Sequence, residues 1–339
     1  MIFQARPFLY RSRRLRLVAA LAAASIGVGA AAVAAPLNAS AATGPRVVAS
    51  ISVPGAPAML AVNSDTDTVY VANADTYRVA VIDGAARKVV THLGPFDCCA
   101  LTPALVAVNQ GSNTLYAVNV DDAEVFASHG REHHYVSSPG LPTQPETIAV
   151  NRRLNSVYVT DSENSELLVL NGRTLAVEAR VTLPDNGAPG AVGVNLATAR
   201  VYVADHWNDT VTVIDGHTNR IVDTIHSTGG YSDVAVDSRT DTVYVADALN
   251  DAVTVIDGHR DTVTTTIPVE GATGVAVDGG RGTVVVSGTA GVSVIDAATR
   301  HITSRVAVPS PGDVVIDTQA NQAYVAFRHG VKVIGGLPG

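Results

Sequence analysis

From about residue 46 onward, hydrophobic and polar positions follow one recurring pattern. Short segments alternate apolar with polar residues, are rich in Val, Ile and Thr, and are separated by polar turns, as in Thr-Val-Thr-Val-Ile-Asp at Thr210 to Asp215. Alternation with a period of two and β-branched side chains are typical of half-buried strands. Four such segments follow one another in each copy of the pattern: Val-Ala-Val-Asn/Asp, a tyrosine segment, Val-Ile-Asp-Gly, and a final Val/Ile/Thr segment. Each copy is therefore predicted to form a four-stranded antiparallel sheet.

The tyrosine of the second segment marks each copy of the pattern. It recurs at intervals of 39 to 46 residues, with Val285 in the same place in the sixth copy: Tyr70, Tyr116, Tyr158, Tyr202, Tyr244 and Tyr324. One such sheet has two apolar faces, and a radial arrangement of seven sheets buries both. The sequence thus predicts an all-β fold, a seven-bladed β-propeller of four-stranded antiparallel blades. A linear solenoid is the alternative way to stack the copies.

The two ends of the repeat region indicate a closed ring. The seventh copy stops after its third segment, Val331 to Ile334, and an unassigned segment, Arg46 to Val53, resembles the missing outer strand. We predict that the N-terminal strand completes the last blade, which removes an open sheet edge. Residues 42–339 then form a single propeller domain.

Residues 1–41 have the pattern of a secretory signal peptide. A basic region, Arg11 to Arg16, precedes an apolar run, Leu17 to Ala35, and the small residues Ala39 to Ala41 suit cleavage near Ala42. The segment beginning at Ser12 is similar to a twin-arginine export motif. An uncleaved membrane anchor is the alternative, but no later segment is long and apolar enough to cross a bilayer. We therefore expect a secreted, extracytoplasmic protein without stable membrane insertion after signal removal.

Charge restricts the class of partner. The formal net charge is −8, yet residues 1–41 contain five arginines and no acidic residue, so residues 42–339 carry −13. A body this acidic repels phosphate backbones and anionic lipid. No nucleic-acid partner is expected.

The tyrosine segments resemble a known repeat family. Val-Tyr-Val-Ala-Asn at Val69 to Asn73, Val-Tyr-Val-Thr-Asp at Val157 to Asp161, and Val-Tyr-Val-Ala-Asp at Val201 to Asp205 and Val243 to Asp247 are each followed by Val-Ile-Asp-Gly or a relative. These repeats are similar to the YVTN family of β-propellers over Arg46 to Ile334. The resemblance implies a propeller but leaves its function open, because such propellers serve binding, scaffold and occasionally catalytic roles.

Residues that depart from the repeat are candidates for a specific site. In a propeller, the loops that enter each inner strand share one face with the loops between second and third strands, and this face surrounds the channel mouth. Glu146, Asp233 and Asp313 enter inner strands of three different copies. Converging carboxylates raise one another's pKa or hold a cation; separate solvated acids are the alternative, and no metal site is assigned.

Other unusual side chains fall on the same face. Trp207, the chain's single Trp, is expected to stack on a planar ligand or a sugar, or else to pack on the neighbouring blade. The ligand-binding candidates are Trp207, Tyr231, Asp233, Asp313, Tyr77 and Arg328. The catalytic candidates are His206 and His329 as general bases, together with Glu146.

Adjacent cysteines and a histidine-rich turn are two further candidates. Cys98 and Cys99 form a vicinal disulfide, pair between molecules, or stay as free thiols. His129, His133 and His134 suggest a metal site, but adjacent histidines point to opposite faces of a strand, and a solvated hairpin is the preferred interpretation.

The sequence favours binding over catalysis. It contains no Gly-x-Ser-x-Gly elbow, glycine-rich phosphate loop or His-Glu-x-x-His motif. The leading hypothesis is a secreted binding or scaffold protein that engages a small molecule or a protein at the channel mouth. The alternative is a propeller enzyme of the lyase, cyclase or isomerase type, and a third option is a quinone-dependent oxidoreductase. The sequence identifies no cofactor.

Overall fold

The computed structural model describes residues 44–73, 75–76, 78–94, 103–120, 123–129, 135–138, 144–226 and 229–339. Four sequence predictions lie outside these residues: the signal peptide, Tyr77, the Cys98–Cys99 pair and the imidazoles of His133 and His134. Within the described residues, no helix has the length and apolar character needed to span a membrane.

Seven four-stranded antiparallel sheets form the fold, which confirms the seven-bladed propeller. Blade 1 comprises β2 (Pro57–Asn63), β3 (Thr68–Asn73), β4 (Arg78–Asp83) and β5 (Lys88–Leu93). Blade 2 comprises β6 (Pro103–Asn109), β7 (Thr114–Asn119), β8 (Glu124–His129) and β9 (Tyr135–Ser138). Blade 3 comprises β10 (Pro145–Asn151), β11 (Ser156–Asp161), β12 (Glu166–Asn171) and β13 (Val177–Thr182). Blade 4 comprises β14 (Pro189–Val194), β15 (Arg200–Asp205), β16 (Thr210–Asp215) and β17 (Arg220–His226). Blade 5 comprises β18 (Tyr231–Asp237), β19 (Thr242–Asp247), β20 (Ala252–Asp257) and β21 (Thr262–Pro268).

Blades 6 and 7 complete the ring. Blade 6 comprises β22 (Gly274–Asp278), β23 (Thr283–Gly288), β24 (Gly291–Asp296) and β25 (His301–Val306), and blade 7 comprises β26 (Val314–Asp317), β27 (Gln322–Phe327), β28 (Gly330–Gly335) and the N-terminal strand β1 (Arg46–Ser52). The inner strands β2, β6, β10, β14, β18, β22 and β26 contact their neighbours in turn, and β26 contacts β2. A linear solenoid would leave that last contact unmade, so the arrangement is a closed ring.

Strand β1 closes the ring as predicted. It pairs antiparallel with β28, from Arg46 opposite Gly335 to Ser52 opposite Gly330. Ile51 and Val53 are buried in an apolar cluster that includes residues of blades 7 and 1. The closure is therefore made by sheet pairing and by side-chain packing together.

The repeated tyrosine and the repeated Ile-Asp-Gly glycine meet where two blades adjoin. Tyr116 of blade 2 is fully buried, and its hydroxyl donates a 2.6 Å hydrogen bond to the carbonyl oxygen of Gly172 in blade 3. A methyl group at Gly172 would lie 2.8 Å from that hydroxyl oxygen, too close for a side chain. The same approach joins Tyr202 of blade 4 to Gly258 of blade 5. This contact explains why both residues recur with the blade period.

On the face opposite the channel mouth, amide side chains join neighbouring blades. Asn63 Nδ2 donates to Asn113 Oδ1 at 2.7 Å, and Asn195 Nδ2 donates to Asp241 Oδ1 at 2.6 Å. Asn113 and Asp241 have φ of 52° and 54°, a left-handed conformation that Asn and Asp adopt more readily than other side chains. The turns that end each inner strand thus link the blades as well as reversing the chain.

Candidate functional site

The mouth face is formed by the loops that enter the inner strands and by the turns between second and third strands. The turn of blade 4 shows how these loops are held. Asp205 Oδ1 accepts hydrogen bonds from the backbone amides of Trp207 at 2.8 Å, Asn208 at 3.0 Å and Ala188 at 3.2 Å. This one carboxylate, buried at the end of β15, fixes its own turn and the entering loop of the same blade. Side chains on the turn are therefore presented from a rigid base.

Trp207 projects from that turn into solvent. Its side chain is 74% exposed, so it does not pack over the neighbouring blade. Leu249 occupies the equivalent position in the turn of blade 5, since Asp205-His206-Trp207-Asn208 corresponds to Asp247-Ala248-Leu249-Asn250. Leu249 is 72% exposed. Two adjacent blades thus present a large apolar side chain at the same place on the mouth face.

His206 of the blade 4 turn contacts Tyr231, which lies at the start of β18 in blade 5. Tyr231 is fully buried in the apolar cluster shared by blades 4 and 5, so its ring packs within the core. Its backbone carbonyl oxygen lies 3.3 Å from His206 Nδ1, a contact that requires the imidazole proton on Nδ1. The imidazole of His206, an exposed residue, is thus oriented by a carbonyl group instead of a carboxylate.

Asp233 and Asp313 make the same pair of hydrogen bonds in two different blades. Asp233 Oδ1 accepts from the amide of Val234, and Oδ2 accepts at 2.8 Å from the amide of Val275 in blade 6. Asp313 Oδ1 accepts from the amide of Val314, and its Oδ2 accepts at 2.6 Å from the amide of Leu60 in blade 1. Each carboxylate therefore joins its own inner strand to the inner strand of the next blade.

The charge of Asp233 influences the ionisation of Asp313. Burial raises the pKa of Asp313 to about 8, with the charge of Asp233 as the second cause, while backbone hydrogen bonds act in the opposite direction. Burial also raises the pKa of Asp233 to about 6. Both residues are partly buried and keep some contact with solvent. Burial therefore favours the protonated form of both carboxyl groups more than it would for an exposed Asp.

The other predicted mouth residues lie apart from this pair. Glu146 precedes the equivalent position in blade 3, is exposed, and accepts a 2.9 Å hydrogen bond from Ser162 Oγ. Arg328 and His329 are exposed on the turn of blade 7, three blades along the ring from His206. The structure thus brings Asp233 near Asp313, and His206 beside Trp207, but does not unite the two histidines. Whether any of these residues binds a ligand or acts in catalysis stays a prediction.

No metal centre is formed by the described residues. Among them, no group of three or more His, Cys, Asp or Glu side chains is placed to hold a metal ion. Tyr77, Cys98 and Cys99 are not among the described residues, so their predicted roles stay predictions.

Comparison with known families gives one match. The model described as "Domain of unknown function (DUF5074)" matches residues 139–331, which is more than half of the chain. The chain belongs to this family. The DUF5074 match covers blades 3 to 6 and the strands β26 and β27 of blade 7, including Asp233, Asp313 and the two exposed turns. This match, together with the seven blades of the structure, supports a propeller family. It does not confirm the resemblance to the YVTN family, which stays a prediction. No curated protein matches the chain.

Sequence reasoning missed the hydrogen bonds between blades and the second apolar side chain. The hydrogen bonds from the amides of Val275 and Leu60 depend on the distance between adjacent inner strands. The sequence pattern within one copy does not encode that distance. Leu249 had a signal in the sequence, because it aligns with Trp207 when the copies are superposed. An apolar residue among Asn and Asp in an exposed turn is the feature that marks it.

Proposed function

We propose that this protein is an exported binding or scaffold protein that engages its ligand or partner on the mouth face. The observation that carries the proposal is the pair of exposed side chains, Trp207 and Leu249, on rigid turns of adjacent blades. An exposed indole on a fixed backbone offers a large contact area at a small cost in conformational entropy. Single exposed apolar residues occur on any protein surface, but Trp207 and Leu249 occupy the same position of the repeat in two adjacent blades.

The pattern of the N-terminal residues and the internal repeat also support the proposal. The arginine-containing segment and the apolar run before Ala42 support secretion. The internal repeat supplies a stable ring, and the residues that depart from it supply specificity.

The single Trp provides a direct test. Because Trp207 is the chain's only Trp, all indole fluorescence comes from the mouth face. We expect titration of the mature chain with a panel of neutral oligosaccharides, polyamines, and cationic and anionic peptides to shift the emission for at least one class. Trp207→Ala, followed by labelled-ligand anisotropy, should weaken that binding about tenfold or more, as expected for a central aromatic contact.

Val222→Ala is the matched control. Val222 is 51% exposed, on the outer strand β17 and away from the mouth turns. Equal affinity of Trp207→Ala and Val222→Ala, with both variants folded by circular dichroism, would contradict the proposal.

A catalytic role is the second candidate, and the Asp233–Asp313 pair favours it. Two carboxylates with raised pKa values in a channel supply one acid and one base near neutral pH, which is the requirement of a lyase, cyclase or isomerase. A deletion strain of the source organism should then accumulate a small molecule that the purified protein converts. Loss of conversion in Asp313→Asn, with retention in Asp223→Asn on the outer strand β17, would assign the reaction to the channel. Metabolite levels unchanged by the deletion would reject it.

A further inference from the structure

The loops around Trp207 form one continuous surface. Ser165 Oγ, at the end of the blade 3 turn, donates to the carbonyl oxygen of Gly187 at 2.6 Å. Asn208 Nδ2, in the blade 4 turn, donates to the carbonyl oxygen of Asp185 at 3.3 Å. These bonds join two turns to the loop between blades 3 and 4, which contains the 3-10 turn Pro184–Asn186.

The same surface continues into blade 5. His206 contacts the carbonyl group of Tyr231, and Leu249 lies against Gly230, leaving no room for a β-carbon there. The exposed apolar side chains of blades 4 and 5 are therefore connected through the loop that joins these blades. The surface extends over three blades, which is wider than a small amine or a single sugar.

Exposed carboxylates lie on the loops of blades 3 and 4, on the side of the apolar pair that carries Trp207. We call them the acidic rim, and it consists of Glu146, Glu163, Asp185 and Asp209, all exposed. The loops that carry them and their neighbours, residues 144–147, 161–166, 182–190, 205–210, 229–232 and 247–252, contain no Lys or Arg. Arg180 approaches from β13, but it is paired with Glu166. This sector of the mouth face therefore has an unbalanced negative charge.

The basic side chains lie mainly at the opposite face. The turns on that side contain Arg152, Arg153, Arg239, Arg260 and Arg281, and Arg200 lies at the adjoining end of β15. Several are paired with acidic neighbours, such as Arg200 with Asp261 at 2.7 Å and Arg281 with Asp278 at 2.9 Å. The charge is thus separated between the faces, and the unpaired negative field is at the mouth.

We propose that the partner at this surface is an extended protein segment in which basic side chains alternate with apolar ones. This inference rests on the proposed function and names the chemistry of its partner. The apolar side chains would contact Trp207 and Leu249, while Lys or Arg would face the acidic rim. Anionic lipid and nucleic acid are disfavoured by the same charges. A small polyamine would satisfy the carboxylates but not the two apolar side chains.

Three short synthetic peptides test the chemistry. In the first, lysine alternates with leucine; in the second, glutamate replaces lysine; in the third, serine replaces leucine. We expect only the first to shift Trp207 emission at low ionic strength, and its affinity to fall as salt shortens the Debye length to about 10 Å at 0.1 M. Equal binding of the glutamate peptide, or of the serine peptide, would overturn the inference.

Two charge-matched double variants localise the interaction. Glu163→Gln/Asp185→Asn removes two rim charges, and Asp185 has a left-handed φ of 59° that Asn tolerates. We expect the affinity for the lysine–leucine peptide to fall about three- to tenfold, in line with modest contributions from exposed ion pairs. The control Glu178→Gln/Asp223→Asn makes the same charge change on the outer strands β13 and β17 and should leave affinity unchanged. Equal losses in both variants would place the effect in net charge and overturn the inference.

Failure of this inference is distinguishable from failure of the proposed function. If a neutral or anionic member of the wider panel shifts Trp207 emission and no cationic peptide does, the partner chemistry is wrong and the mouth face still binds. If no member of the panel shifts the emission and Trp207→Ala has no effect on binding, both proposals fail.

Discussion

At the scale of single residues, one contact between blades differs from its equivalents. Where Asn195 donates to Asp241 between blades 4 and 5, the corresponding residues between blades 7 and 1 are both acids, Asp317 and Asp67. Asp67 Oδ1 and Asp317 Oδ2 are buried and receive no hydrogen bond from a protein donor. Burial, followed by the charge of Asp317 and a hydrogen bond to it, raises the pKa of Asp67. The ring-closing contact therefore favours a shared proton, a requirement that the contact between Asn195 and Asp241 does not have.

Asp317→Asn should remove this requirement. The amide would donate to Asp67 as Asn195 donates to Asp241, and its oxygen would keep the hydrogen bonds from the amides of Gln319 and Ala320. A raised folded-state pKa means that the folded chain binds more protons, so wild-type stability falls as pH rises above the usual Asp pKa near 4. We expect the variant to gain about 1 kcal/mol in free energy of unfolding at pH 7 and little at pH 4. Urea unfolding at both values measures this.

Asp223→Asn provides the comparison, because Asp223 lies on the outer strand β17 and makes no contact with Asp67 or Asp317. It should change stability equally at both pH values. A gain of the same size at pH 4 and pH 7 in Asp317→Asn would show that proton sharing does not occur between the two acids.

At the scale of elements, β1 joins the first-synthesised residues of the domain to the last blade. Ile51 is 4% exposed, and its cluster includes Val71 of blade 1 and Val331 of blade 7. The strand therefore contributes to the core at the contact between the first and last blades.

Ile51→Ala should lower the free energy of unfolding by about 2–5 kcal/mol, as large-to-small changes in a packed core do. Val222→Ala, at an exposed position of the equivalent outer strand β17, should change it by less than about 0.5 kcal/mol. Thermal or urea unfolding compares the two. Indistinguishable effects would mean that β1 does not occupy blade 7 in solution.

Elements were more predictable from the sequence than the site was. Strand alternation and the recurring tyrosine depend on contacts that repeat in every blade, so one chain contains several copies of the same signal. The closing strand was also recognisable, because Arg46 to Val53 has the pattern of an outer strand. The bonds from Asp233 to Val275 and from Asp313 to Leu60 join parts of different copies. Their formation depends on blade spacing, which local patterns do not encode.

At the scale of the whole molecule, the separation of charge should be measurable through Trp207. Caesium ions should be enriched around its indole and iodide depleted, relative to free tryptophan amide in the same buffer. We expect the ratio of caesium to iodide quenching constants, normalised to the free amide, to exceed one at low salt and to approach one at about 1 M salt, where the Debye length is about 3 Å.

Glu163→Gln/Asp185→Asn should reduce this normalised ratio, whereas Glu178→Gln/Asp223→Asn should leave it near the wild-type value. A ratio of one at low salt in the wild-type chain would contradict an acidic surface around Trp207.

The pairing of β1 with β28 also has a consequence for biogenesis. Strand β1, the first strand of the ring in chain order, has its hydrogen-bonding partner at residues 330–335, in the last strand of the ring. Six blades can assemble from neighbouring segments while synthesis proceeds, but the seventh cannot be completed until residues 330–335 have emerged. Strand β1, the first of the ring to be synthesised, is therefore among the last strands to pair.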